Sequence, residues 1–109
     1  MMLLTKANRR QLPPLYAQEG LYGKAIVHVK FFTPWSNWTW YCTEFDGEDT
    51  FFGLVIGHDT ELGYFSLSEL ESARGPWGLK VERDLHFTPR PLAECPGCPE
   101  WLKELPEPE

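Results

Sequence analysis

A chain of 109 residues sits near the commonest single-domain length, and its 42% hydrophobic and 24% charged residues are globular proportions, which exclude both a disordered polymer and a two-core layout. A formal charge of −6 and a pI near 5.0 disfavour direct nucleic-acid binding, which depends on clustered Lys and Arg. No apolar run approaches the roughly 20 residues of a membrane helix, no signal-type segment follows Met1-Met2-Leu3-Leu4, and three Cys make a poor disulfide framework, so the expected setting is the cytoplasm, away from membranes.

Thr5 precedes the helix-compatible run Lys6 to Leu12, and Pro13-Pro14 stops it, so a short N-terminal helix is expected. Residues 25–32 are β-branched and aromatic up to Pro34 and predict a first strand, with Ala25, Val27, Val29 and Phe31 on one face and Ile26, His28, Lys30 and Phe32 on the other. Residues 38–45 and 50–56 flank the turn dipeptide Asp46-Gly47 and predict an antiparallel hairpin. Residues 61–65 extend it as a meander. Ser66 and Glu69 have capping-box spacing, Leu67 and Leu70 lie three apart, and Gly75-Pro76 is a stop, which predicts a covering helix over 67–73. Val81, Leu85 and Phe87 around Glu82-Arg83-Asp84 suit a last strand at a sheet edge. From Pro89 onward six prolines give a docked strap or a disordered tail, with a turn of helix near Trp101-Leu102-Lys103. The expectation is an α+β fold: an antiparallel β-meander of four to five strands with a short N-terminal helix and one covering helix. Residues 1–92 form a single domain and 93–109 a Pro-rich tail.

Several segments carry a resemblance: Leu3-Leu4-Thr5-Lys6, Leu12-Pro13-Pro14-Leu15-Tyr16, residues 29–34, residues 38–41, residues 44–55 and residues 62–70. Together they resemble the bacterial "domain of unknown function 2958" family across most of residues 3–92. The resemblance implies an accessory role on plasmids or other mobile elements and supplies no activity and no catalytic residues. Residues 95–109 lie outside it.

Cys95-Pro96-Gly97-Cys98 has the spacing of half a zinc site or of a dithiol. No second pair stands at diagnostic spacing among Cys42, His28, His58 and His86, so packed thiols outweigh metal, and metal outweighs redox chemistry. Neither a metal nor a cofactor is expected. Glu44, Asp46, Glu48 and Asp49 gather at the hairpin, either as a solvated turn or as a carboxylate face. His28, His58 and His86 are scattered, and no phosphate loop or nucleophile elbow is present. Trp35, Trp38, Trp40 and Tyr41 are the densest aromatic cluster, either core packing or a contact platform.

The function these residues support is a small acidic protein-interaction module, not an enzyme, with another protein as partner and a contact face built from Trp35, Trp38, Trp40, Glu44, Asp46, Glu48 and Asp49. The competing reading is a small-ligand or metal-dependent enzyme with a site at the sheet mouth near Trp40, Glu44 and His58.

Overall fold

The computed structural model describes residues 2–105. Thr5 starts α1 (Lys6–Gln11) through a reciprocal cap: its hydroxyl accepts the Asn8 N–H at 3.1 Å, and the Asn8 side chain accepts the Thr5 N–H at 3.0 Å. The β-rich segments then form one five-stranded antiparallel sheet in the order β5-β4-β3-β2-β6, from β2 (Val29–Phe32), β3 (Thr39–Phe45), β4 (Thr50–Ile56), β5 (Thr60–Ser66) and β6 (Glu82–Arg83). The α+β class, the hairpin over 38–56 and the edge position of the last strand all hold. Helix α2 (Leu67–Ser72) starts on Ser66, whose hydroxyl accepts the Glu69 N–H, and buries Leu67 and Leu70.

The first strand departs from expectation. Residues 26–32 are broken at His28 into β2 and a separate β1 (Ile26–Val27), which pairs with β7 (Arg90–Pro91) in a two-stranded sheet of its own. The reason is a side chain standing in for a strand. The Gln18 carboxamide takes both backbone groups of Ile26, accepting its N–H at 2.7 Å and donating to its carbonyl at 2.9 Å, and also donates to the Thr43 carbonyl.

Both faces of the sheet are covered, which explains why β3 is buried almost from end to end rather than in alternation. On one face Phe31, Phe45, Phe51 and Phe65 pack ring against ring beneath Leu3, Leu4, Leu12, Leu67, Leu70 and Val81. The chain crosses this face from β5, at one edge, to β6, at the other. On the opposite face Val27, Tyr41 and Leu54 lie under Leu92, Cys95, Cys98 and Leu102, the last two from the segment around α3 (Glu100–Lys103). The Pro-rich segment is therefore a docked strap as far as residue 105, tied down by the Tyr41 hydroxyl donating to the Pro96 carbonyl at 2.7 Å. Residues 106–109 of the expected tail lie outside the described residues.

A bulge between Cys42 and Glu44 shifts the register of β3 by one residue. Upstream, Cys42 pairs with Gly53, where a Cβ would stand 1.9 Å from the Tyr41 carbonyl oxygen, so only glycine permits this approach. Downstream, strict alternation would put Glu44 beside Cys42 and turn Phe45 away. The extra residue reverses that: Phe45 enters the aromatic core and Glu44 turns to the strap face.

Candidate functional site

Glu44 is 3% exposed, so it is not part of a solvated turn. Its two carboxylate oxygens accept the N–H groups of Tyr16 and Gln18, each at 2.8 Å, clamping residues 16–18 onto the sheet. That clamp builds the rim of a pocket of about 240 Å3 between the 16–22 loop and strands β3 to β5. Phe52, Leu62 and Tyr64 come from β4 and β5, Thr43 and Glu44 from β3, and Tyr16, Glu19 and Tyr22 from the loop. Tyr16 and Tyr22 both have left-handed backbones, φ 73° and 48°, a conformation costing about 1–2 kcal/mol for a residue with a Cβ. The bond from its N–H to Glu44 holds Tyr16 there, and such strain concentrates at working sites. The Tyr64 ring meets Phe52 edge-on at 5.0 Å. Its phenol is pushed above its ordinary pKa, first by the Tyr16 hydroxyl, with smaller contributions from burial and from the charges of Tyr16, Glu44 and Glu19.

The other hairpin carboxylates are engaged with their own chain. One oxygen of Asp46 accepts the backbone N–H groups of Glu48, Asp49 and Thr50 at 2.8, 2.8 and 3.0 Å. Asp49 accepts the Ser68 N–H at 2.8 Å and the Ser66 and Ser68 hydroxyls at 2.6 and 3.0 Å, bridging the turn to the start of α2. These bonds to the charged form lower both pKa values. Glu48 is exposed and its side chain makes no hydrogen bond among the described residues.

The three tryptophans of the expected aromatic platform all pack against the phenylalanine core. Trp40 is buried, and Trp38, half-buried, stacks on it at 5.8 Å and meets the exposed His58 edge-on. Trp35 packs over Gly75, where a Cβ would lie 2.2 Å from the ring. Trp40 and Glu44 thus face opposite sides of the sheet, while His58 lies beyond the far end of β4, so the three do not converge on a sheet-mouth site. His28 sits at the break between β1 and β2, its pKa lowered by burial. It borders a second cavity of about 280 Å3, whose charged residues already have partners: Arg83 donates to the Met2 and Leu3 carbonyls, and Asp84 pairs with Lys30 at 3.6 Å.

The Cys95 and Cys98 thiols are buried between the strap and the sheet and donate to the Pro91 and Pro99 carbonyls. Burial pushes Cys95 up to about 11 and raises Cys98, so both are protonated at neutral pH. Among the described residues no three His, Cys, Asp or Glu side chains gather as a metal site. No helix there is long and apolar enough to cross a membrane.

The most exposed ring is Trp77, at 98%. It caps a tight loop closed by the Arg74–Lys80 bridge and by the Gly75 N–H donating to the Leu79 carbonyl at 2.7 Å, and its own φ is 55°. Neither Trp77 nor Tyr16 and Tyr22 stands out by periodicity. A tryptophan set between Gly75-Pro76 and Gly78 was the available signal for the first.

An antiparallel sheet with a strap over one face, a strained tyrosine pocket and an outlying tryptophan define a small α+β domain. The chain belongs to the family described as protein of unknown function (DUF2958), whose model matches residues 3–94. No curated protein and no solved structure matches it.

Proposed function

We propose that this domain is a non-catalytic protein-interaction module, an accessory factor of a plasmid or mobile element, whose principal contact is the Trp77 loop. The observation that carries the reading is the fully presented indole on a loop closed at its base. A tryptophan buries some 150–250 Å2 when it enters a partner's pocket, and Trp is enriched among the residues that dominate binding energy. Preorganisation of the loop lowers the ordering cost of association. Arg74 and Lys80 stand at the base of this loop and favour a partner pocket with an acidic rim. Sequence resemblance to a family met on mobile elements supports the setting. The acidic hairpin takes a smaller part than its charge suggests, since Glu44 is buried and Asp46 and Asp49 hold the turn, leaving Glu48 at the surface.

The test is site-specific photocrosslinking in cells carrying the element, with the reactive group at position 77 or, as control, at the exposed Glu61 on β5. A discrete protein adduct from position 77 alone is expected. Matching adducts from both positions, or none from either, would overturn the reading.

A further inference from the structure

The tyrosine pocket has a charge imbalance that the chain itself does not correct. Buried carboxylates are ordinarily paired with a cation. Glu44 is buried, accepts two backbone N–H groups and has no ion-pair partner among the described residues. A second carboxylate, Glu19, lines the same cavity, and no Lys, Arg or His does. Tyr16, Tyr22 and Tyr64 line it as well, electron-rich rings that are respectively 63%, 41% and 57% exposed and so open to a ligand. Aromatic rings around a site of negative potential attract ammonium and guanidinium groups and gain most where water is excluded. At about 240 Å3 the cavity is below the usual range for drug-sized ligands, so it suits a cationic head group rather than a nucleotide or flavin.

We infer that the pocket framed by Tyr16, Tyr22 and Tyr64 binds an organic cation, a quaternary ammonium or a Lys or Arg side chain, with Glu44 and Glu19 as its counter-charge. The inference stands independently of the Trp77 contact. The bulge that turns Glu44 to this face and the clamp that fixes the left-handed Tyr16 preorganise the cage.

The test is an NMR titration of the isotope-labelled full chain with choline, with its neutral isostere 3,3-dimethylbutan-1-ol, and with short Gly/Ser peptides carrying one Lys or one Arg. Shifts at the Tyr16 and Gln18 amides are expected with the cations, with affinity about tenfold above that of the neutral isostere. Stronger binding of choline identifies a free quaternary ammonium as the source, and stronger binding of a peptide identifies a protein side chain. Tyr64→Ala removes an exposed ring, and Tyr16→Gly removes a ring while relaxing its backbone, so both variants retain the fold and each should weaken cation binding about fivefold or more. Trp77→Ala should leave the titration unchanged, separating this result from the crosslinking result. Equal affinity for the neutral isostere, absence of shifts at the pocket amides, or unaltered binding by folded Tyr16→Gly and Tyr64→Ala variants would overturn the inference.

Discussion

The two faces of the sheet are covered in different ways. One carries stacked phenylalanines under a capped helix and an N-terminal segment, the other Val27, Tyr41 and Leu54 under a chain with little regular structure that contributes Leu92, two thiols and Leu102. The first is held by periodic side chains meeting one another. The second is held by specific side-chain bonds: Tyr41 to Pro96, Gln18 to Ile26 and Thr43, Glu44 to Tyr16 and Gln18. The pocket lies on the second face, where the covering chain is irregular enough to leave a concavity.

The sharpest way to break this comparison is to remove the strap. Truncation after Leu92 uncovers Val27, Tyr41 and Leu54, each at most 1% exposed, and should abolish cooperative thermal unfolding; a truncated chain with a native melting transition would make the strap an ornament. Single cavities compare the faces more finely. Phe51→Ala should cost about 3–5 kcal/mol and Leu102→Ala about 2–5 kcal/mol in urea unfolding, since both side chains are fully buried. A Leu102 loss below about 1 kcal/mol would separate the strap from the core.

Glu44→Ala should cost about 3 kcal/mol, because it orphans two N–H groups that now donate to a carboxylate, and should speed hydrogen exchange at Tyr16 and Gln18 while leaving the α2 amides protected. A smaller effect belongs to the hairpin. The backbone and hydroxyl bonds to Asp46 and Asp49 hold their folded pKa values below the ordinary aspartate value, so the stability they supply is fully present above that ordinary value and is lost as pH falls through the lower folded values. Unfolding midpoints measured from pH 5 downward should fall, and Asp46→Asn with Asp49→Asn should flatten that fall. The smallest change is expected from Trp77→Ala, within about 0.5 kcal/mol of the parent, since the ring packs on almost nothing.

The phenylalanine face is the one that a sequence reader finds. Ser66, Leu67 and Leu70 announce α2, Asp46-Gly47 announces the hairpin, and the charged step at Glu82-Arg83 announces an edge. Along the pocket face the same method misleads. Alternation cannot reveal a bulge, so Glu44 looks like a turn carboxylate when it is an internal clamp, and residues 25–32 look continuous when Gln18 interrupts their pairing. The loop bearing Tyr16 and Tyr22 has no period because its shape is imposed by a carboxylate up to 28 residues away. Trp35, Trp38 and Trp40 drew attention by clustering, yet the presented ring is Trp77, isolated in sequence and set between glycines.

The register shift in β3 also governs which changes in chain length this protein could survive. Deleting Thr43 would leave Cys42 opposite Gly53 and its two successors opposite Phe52 and Phe51, so simple alternation would then hold Glu44 and Phe45 on the faces that the bulge gives them now. A substitution at the same position would forfeit one hydroxyl bond, to the Phe52 carbonyl at 3.0 Å, and would have to fit a buried site. Position 43 should therefore tolerate a gap and accept small residues, so that its constraint is one of space rather than of facing.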